Sequence, residues 1–516
     1  MLFLKQDKKM MRLMTLLYRH DGEWCKYLDL ARHLDVSLKT VKSYLENSES
    51  IFSKHALFEY SSAMVRVSFN ANFGLLTMQR TFLYHSLIVQ ILYHTFFKPN
   101  MDKLDLSLLL NCSETSIFRN IQQFNEILAS VYDLQFSYAT LQFVGTEREI
   151  QKFYINFFIE IFPDPMQWAF DGYISEEDVQ ALTRILAKYI RGQHLYPAHF
   201  KYIKVALAVA ALRLKQGFKV PINSYNPDIC NKIAHILQIP AGRLLLDHYF
   251  QDWAMTPIHC LYQILAYFLS EEFQFFFKDA PFGYKKDLRF EKQHAFYEKN
   301  VTYLLKKYGL VLDDPDAFYD TLFTYFKFKL TNIDTSDFFI NHSDYFLNYV
   351  KFFNSDFHND LYAILEDYLN QFHPRIKHRA RDLTYTVYTL WPDLLPQLVA
   401  NMPPYRALVI SHYDHYYAKT LMNMVNNINP QLVKAEVYEH CEIDFDEIEK
   451  SPYEIIITDF VIDRELEGKL VFSFEQLPLP NKLQRLVLAI TYDRISHILA
   501  KHPEEYTTYR KNIGLE

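Results

Sequence analysis

Two stretches of the chain carry polar side chains whose types and spacing suit contacts with a nucleic acid. The first is 27–48, YLDLARHLDVSLKTVKSYLENS, where an apolar stripe is interrupted by lysine and hydroxyl side chains. The polar positions of this stretch are Ser37, Lys39, Thr40, Lys42 and Ser43. Phosphate and sugar groups receive the larger share of protein–DNA hydrogen bonds, and such side chains are good partners for them. We therefore predict DNA contacts here, with Lys39 and Lys42 on phosphates and not on bases.

The second stretch, 114–128, reads ETSIFRNIQQFNEIL and has the periodicity of an amphipathic helix. Its apolar positions are Ile117, Ile121, Phe124 and Leu128, and its polar positions are Thr115, Ser116, Arg119, Asn120 and Gln123. Arginine, asparagine and glutamine side chains can read guanine or adenine in a major groove. The same residues would also form the solvated face that any bundle helix needs, and the sequence leaves both interpretations open.

Each stretch belongs to a pattern of helix, turn, helix and hairpin. In the first, a break at 35–37 separates two short helices, and Ser37 is a suitable N-cap for the second helix. The residues 57–69 then read as two strands joined at 61–62, which places Arg66 on a wing. The order repeats about 75 residues later, with predicted helices over 76–97, 103–110 and 114–128 and a hairpin over 132–144. We predict two tandem winged helix-turn-helix domains, the first module at 1–72 and the second module at 73–155.

The distribution of charge favours DNA binding by the first module. The whole chain has a formal net charge of −7. Residues 1–70 contain eleven Lys+Arg and eight Asp+Glu (+3), whereas 71–150 contain five and seven (−2). A basic surface is the electrostatic signature of nucleic-acid binding, so we expect a smaller contribution from the second module.

Composition disfavours several other classes of protein. The 11 glycines are few for 516 residues, which favours helices and disfavours the glycine-rich phosphate loops of nucleotide enzymes. The 5 cysteines form no CxxC pair, so we expect neither a metal site nor a disulfide framework. No signal peptide or membrane-spanning run is visible, and we predict a cytoplasmic protein without a cofactor.

The remainder of the chain divides into a helical part and an α/β part. The segment 150–400 is helical in pattern throughout, and proline-rich segments at 391–392 and 402–404 end it. One of its helices has an apolar stripe formed by Phe200, Ile203, Leu207, Ala210 and Leu214. The later strands are predicted over 406–411, 433–438, 453–459 and 470–474. Because these strands alternate with helices, they indicate a small α/β sheet.

This order of domains, together with segments such as YLDLARHLDVSLKTVKSYL and HFKYIKVALAVAALRLKQG, resembles the Mga-type virulence regulators of Gram-positive cocci. The resemblance implies a multidomain, mainly α fold. After the two winged modules, it implies two helical phosphotransferase-regulation domains (PRDs) at 160–280 and 281–398. An EIIB-like α/β domain at 404–516 would follow them. The resemblance also implies a DNA-binding activator of virulence or carbohydrate-linked genes, acting as a homodimer on double-stranded promoter DNA. Histidine phosphorylation by a phosphotransferase-system phosphodonor protein would tune its activity.

Such phosphorylation needs a histidine with an accessible nitrogen that can then hold a charge of about −2. In the first PRD the candidates are His194 and His199, and His199 leads because added negative charge suits the start of the helix at Phe200. In the second PRD the candidates are His342, His358, His373 and His378. Typical PRDs carry histidines at fixed helical positions, and residues 205–206, Val-Ala, occupy one of these positions here. The family's sites therefore do not carry over directly.

The α/β domain departs from active EIIB proteins, which carry a phosphorylated cysteine just after their first strand. Here that strand ends at Ser411 and His412, followed by Tyr-Asp-His at 413–415, with neither a cysteine nor a glycine-rich loop. A thiolate is a far better acceptor than an unactivated hydroxyl. We therefore predict that the domain keeps the EIIB shape, has lost the transfer chemistry and serves dimerisation or partner sensing.

We predict a transcription regulator that is not an enzyme. Two alternative functions remain open from the sequence. One is a phosphotransferase-system relay component, which the missing cysteine and the winged modules disfavour. The other is a scaffold that uses winged helices to dock other proteins. The response of DNA binding to salt would discriminate the scaffold from the regulator.

Overall fold

Helices make up most of the computed structural model, as the scarcity of glycine predicts. The structure describes residues 5–129, 133–162, 167–188, 197–222, 227–251, 255–269, 288–331, 343, 346–347, 350–351, 354–374, 379–428, 430, 432–474 and 480–501. Contacts divide the chain into two units, one comprising mainly 1–291 and 323–342 and the other 292–322 and 343–515.

The first module is a helix-turn-helix followed by a wing. Its elements are α1 (Lys5–Arg19), β1 (Trp24–Lys26), α2 (Tyr27–Leu34), α3 (Leu38–Phe52), β2 (Ala56–Tyr60) and β3 (Met64–Phe69). Strand β3 pairs antiparallel with both β1 and β2. The predicted hairpin is confirmed. Strand β1 escaped prediction because its three residues become a strand only through pairing with β3.

The second module repeats this order but has two helices, instead of one, before its helix-turn-helix. Its elements are α4 (Leu75–Tyr84), α5 (Leu87–Phe97), α6 (Lys103–Leu109), α7 (Glu114–Leu128), β4 (Gln135–Ser137) and β5 (Gln142–Val144). The prediction of one helix over 76–97 is wrong. Ser86 has an extended backbone (φ −69°, ψ 142°), and its hydroxyl donates to the Leu83 carbonyl at 2.7 Å, so α4 ends there and α5 begins anew.

A bundle of helices completes the first unit. Its described helices are α8 (Glu147–Ile161), α9 (Glu176–Ala187), α10 (Pro197–Lys215), α11 (Pro227–Gln238), α12 (Pro240–Tyr249) and α13 (Pro257–Leu265). Helix α10 packs against α8, α9 and α13. Every residue from Ile203 to Leu214 is buried, so the predicted one-sided stripe is corrected: this helix lies in the middle of the bundle. Apolar residues from Met10 to Phe268 form one continuous core with both modules.

Further helices precede the α/β part. They are α14 (Leu288–Tyr308), α15 (Pro315–Thr331), α16 (Ser355–Phe372), α17 (Ala380–Leu390) and α18 (Leu394–Ala400), and α16 packs against α17. The helical character predicted for this region is confirmed over the described residues. No helix in the part of the chain that the structure describes is long and apolar enough to cross a membrane.

The C-terminal part is a four-stranded parallel sheet with helices. Its elements are β6 (Tyr405–Ile410), α19 (His415–Ile428), β7 (Val433–Val437), α20 (Phe445–Lys450), β8 (Ile455–Thr458), β9 (Leu470–Ser473) and α21 (Pro480–Lys501), with strand order β7-β6-β8-β9. Side chains alternate between the two faces. Ala407 and Val409 join one apolar cluster, and Leu408 and Ile410 join the other. Because both faces are covered, the strands are apolar throughout, and the predicted α/β sheet is confirmed.

Candidate nucleic-acid interface

The turn between the two helices of the helix-turn-helix contains a left-handed residue at the same position in both modules. Asp35 and Asn111 occupy equivalent turn positions, and both are left-handed with φ of 49°. Aspartate and asparagine adopt this conformation more readily than most residues other than glycine. In the first module the turn is also held from outside, because Lys9 Nζ donates to the Asp35 carbonyl at 3.0 Å.

Serine caps begin α3 and α7 in the same way. Ser37 Oγ accepts the Thr40 N–H at 3.1 Å, and Ser113 Oγ accepts the Ser116 N–H at 3.2 Å. The N-cap predicted for Ser37 is confirmed. The Ser37 and Thr40 hydroxyls also lie 2.8 Å apart, so both side chains bond within the cap. The Ser37 and Thr40 side chains therefore fix the residue at which α3 begins.

The lysines of α3 project into solvent as predicted. Lys39, Lys42 and Ser43 are exposed, and among the described residues neither lysine forms a salt bridge. Lys42 Nζ lies 5.4 Å from the centre of the Tyr27 ring on α2, a cation–π contact that leaves the side chain exposed. Both cations are available to an external anion.

Arg66, by contrast, is engaged within the wing. It lies opposite Glu59 in the β2–β3 register, and two of its nitrogens donate to the Glu59 carboxylate at 2.7 Å each. The hydrogen bond from Arg66 lowers the pKa of Glu59. The guanidinium also lies 5.1 Å from the Trp24 ring centre. A DNA contact by Arg66 stays a prediction, and it would compete with this pairing.

The exposed face of α7 combines polar and apolar side chains. Thr115, Arg119 and Gln123 are exposed as predicted. Asn120 is only half-exposed, and its Nδ2 donates to the Ser116 carbonyl at 2.9 Å, so it bonds to its own helix. Phe118 is 46% exposed, a feature that the sequence pattern did not suggest. Of the predicted base-reading residues, Arg119 and Gln123 are therefore the better placed.

The structure describes only some of the candidate phosphorylation sites. His194, His342 and His378, and the side chain of His199, lie outside the described residues. His358 belongs to the first turn of α16, is half-buried, and has its Nδ1 3.4 Å from Tyr388 Oη.

His373 follows the last residue of α16 as its C-cap. The two described candidates thus lie at opposite ends of one helix, where the helix dipole has opposite effects on added negative charge.

One buried carboxylate in the first unit meets a histidine that sequence reasoning missed. His248 Nδ1 lies 2.8 Å from Asp178 Oδ2; the Asp178 side chain is 7% exposed and that of His248 56%. The hydrogen bond and charge of Asp178 raise the pKa of His248. The partners lie on α9 and α12, and no local pattern marks a pairing over that sequence distance. Among the residues that the structure describes, no group of three or more His, Cys, Asp or Glu could hold a metal ion.

Tandem winged helix-turn-helix modules with capped recognition helices are characteristic of DNA-binding regulators. Comparison with known proteins agrees. Residues 71–158 match the family model of the Mga helix-turn-helix domain, a span that covers the second module and most of α8. Over 478 residues the chain is 24% identical to the "Putative trans-acting regulator" of Streptococcus pneumoniae serotype 4 (strain ATCC BAA-334 / TIGR4), covering 91% of this chain and 94% of that protein. These similarities support a transcriptional regulator of the Mga type.

Proposed function

We propose that the chain binds double-stranded promoter DNA as a homodimer and activates transcription, with α3 and α7 as its recognition helices. The observation that carries this proposal is the repeated turn and cap. Asp35 and Asn111 share one backbone conformation, and Ser37 and Ser113 share one capping bond. A turn with this geometry fixes the angle at which the second helix leaves the first, and that angle allows the second helix to enter a groove.

The residues divide into those that bind phosphates and those that read bases. Lys39 and Lys42 bind phosphates, because they are exposed and unpaired by any described carboxylate. Arg119 and Gln123 face a groove from α7, where their planar groups suit guanine and adenine. The capping serines orient the helix N-termini, whose own N–H groups attract phosphate oxygens.

Control of this binding is assigned to phosphorylation of PRD histidines by a phosphotransferase-system phosphodonor protein. Among the candidates, helix position favours His358 and His199, because both lie in the first turn of a helix, α16 and α10 respectively. A phosphoryl group there interacts favourably with the positive end of the helix dipole. The same group at His373, at the other end of α16, would meet the negative end.

The DNA-binding proposal is tested by the salt dependence of affinity. Replacing Lys39 or Lys42 by glutamine removes one phosphate contact each, so the log–log slope of affinity against salt should fall by about 0.9 per substitution. Fluorescence anisotropy with a labelled promoter duplex measures the slope. Lys434→Gln, an exposed lysine of strand β7, is the matched control and should leave the slope unchanged. Equal slopes for wild type and all three variants would refute phosphate binding by α3.

A docking role for the second module is the alternative that the structure favours next. Leu104, Leu108 and Phe118 are exposed by 59%, 71% and 46%, and they lie on the two helices of this helix-turn-helix. Apolar side chains are poor phosphate ligands and good protein contacts. If the module docks a protein instead of DNA, then Arg119→Gln should leave DNA affinity and its salt slope unchanged.

A further inference from the structure

The ends of two neighbouring strands bring a serine, a histidine and an aspartate together in the α/β part of the chain. Strands β6 and β8 are parallel, with Ile410 opposite Thr458, so the residues that follow them share one edge of the sheet. Ser411 and His412 follow β6, and Asp459 follows β8. His412 Nδ1 lies 2.7 Å from Asp459 Oδ1, and Ser411 Oγ donates to Asp459 Oδ2. In open α/β sheets this edge is where ligands bind.

The pair consists of a buried carboxylate and an accessible imidazole. The Asp459 side chain has no exposed surface, whereas that of His412 is 51% exposed. The backbone N–H of His412 also donates to Asp459, at 3.0 Å. Burial acts to raise the pKa of Asp459, but the hydrogen bonds from Ser411 and His412 outweigh it and hold that pKa below its ordinary value.

This arrangement selects one reactive nitrogen. An ionised Asp459 accepts the proton on Nδ1 of His412 and so fixes the tautomer in which Nε2 carries a lone pair. The Ser411 hydroxyl is less suited to react, because it donates to Asp459 and accepts the Tyr413 N–H at 3.1 Å. The nucleophile of the cluster is therefore Nε2 of His412.

We propose that His412 is a phosphoryl-acceptor site, modified at Nε2 by a donor that carries its phosphoryl group on nitrogen. The Nε2 lone pair forms a new P–N bond while the donor's P–N bond breaks, and the pair of electrons from that bond stays on the donor nitrogen. Nδ1 keeps its proton throughout. The phosphorylated ring is cationic, and the Asp459 carboxylate next to Nδ1 offsets its charge.

The immediate surroundings include both favourable and unfavourable groups for the added charge. Helix α19 begins three residues later at His415, and the N-terminal end of a helix favours an anion. Asp414 already caps that helix by accepting the Tyr417 N–H at 2.8 Å, which uses part of this effect. The Tyr417 hydroxyl is buried without a hydrogen-bond partner among the described residues, and the Asp459 charge, after burial, contributes to raising its pKa.

This site is separate from the proposed control of DNA binding. It lies outside the predicted PRDs, and it needs no cysteine, because an imidazole takes the place of the thiolate that active EIIB proteins use. The sequence pattern predicts that this domain has lost its transfer chemistry. Under this proposal the domain still accepts a phosphoryl group, and no onward transfer is proposed.

The test uses potassium phosphoramidate, a small donor with its phosphoryl group on nitrogen, and the full-length chain. Phosphohistidines are mapped by mass spectrometry without acid, and ³¹P NMR distinguishes the Nε2 and Nδ1 isomers. We expect the Nε2 isomer at His412, formed roughly tenfold faster than phosphohistidine at the exposed His415, since an oriented, carboxylate-paired imidazole is the better nucleophile. Asp459→Asn should slow the reaction at His412 about tenfold, the factor that corresponds to losing one charge-assisted hydrogen bond.

The rate at His415 within the same variant is the internal control, and it should not change. His412→Gln should abolish this phosphohistidine and leave the one at His415. Equal rates at His412 and His415 in the wild type, the Nδ1 isomer at His412, or an undiminished His412 rate in a folded Asp459→Asn chain would each overturn the proposal. If Asp459→Asn fails to fold, the isomer and the ratio of the two wild-type rates decide.

Discussion

Two described histidines share one local arrangement, in which Nδ1 lies next to a largely buried aspartate and about half of the histidine side chain is exposed to solvent. They are His248 with Asp178 and His412 with Asp459. A carboxylate removed from water needs compensating hydrogen bonds, and an imidazole supplies one while keeping its second nitrogen accessible. Pairs of this kind therefore stabilise the fold and define an acceptor atom at the same time.

The His248 pair predicts a pH dependence of stability. Because Asp178 raises the pKa of His248 in the folded chain, the stabilising contribution is complete below the unfolded histidine pKa of about 6.5. It is lost as pH rises through the raised, folded value. We therefore expect the thermal midpoint of wild type to lie above that of His248→Gln at the acidic end of this window. The two midpoints should converge as pH rises.

The matched control is His235→Gln, an exposed histidine on α11. The difference between its thermal midpoint and that of wild type should stay constant across the same pH window. A His248→Gln difference that is independent of pH would show that the pair acts by packing and not through the proton.

At the scale of elements, the sequence predicted the helices, caps and strands that are determined by residues close together in the chain. The cap at Ser37 and the helix after it follow from local chemistry, and so do the alternating strands of the C-terminal sheet. Strand β1 and the Asp459 contact of His412 depend on pairing with distant segments, which no local pattern contains. The break at Ser86 had a local signal, but the apolar residues on both sides suggested one continuous helix.

One buried ion pair joins two helices of the bundle, α10 and α8. Two nitrogens of Arg213, on α10, donate to the carboxylate of Glu147, the first residue of α8, at 2.9 and 2.6 Å. Their side chains are only 7% and 8% exposed. Arg213→Met would leave a buried unpaired carboxylate, a change that costs about 3–5 kcal/mol, whereas replacing both charges by apolar side chains is often neutral.

We therefore expect the thermal midpoint of Arg213→Met to fall well below that of wild type, and that of Glu147→Leu/Arg213→Met to recover most of the loss. Differential scanning calorimetry of the two variants and wild type provides the measurement. A double variant as unstable as the single one would mean that the pair holds α8 to α10 by shape and not by charge.

At the scale of the whole molecule, the proposed regulation connects a histidine in one unit with DNA-binding modules in the other. His358 belongs to the second unit and the winged modules to the first. Phosphorylation can link them by changing the equilibrium between monomer and homodimer, since a modification shifts an equilibrium only through its differential effect on the two states. We expect His358→Asp, which adds negative charge in the first turn of α16, to change the dimer dissociation constant at least about fivefold relative to His358→Ala.

DNA affinity should change in the same direction as dimer stability, because two linked modules bind two half-sites more tightly than one. Sedimentation velocity gives the dissociation constant, and promoter anisotropy gives the affinity at matched protein concentration. His235→Asp places the same charge at an exposed position of α11, outside the domain predicted to serve dimerisation, and should behave like wild type. If His358→Asp and His358→Ala dimerise and bind DNA alike, charge at this histidine does not control the regulator. The search for the phosphorylated residue would then move to His199.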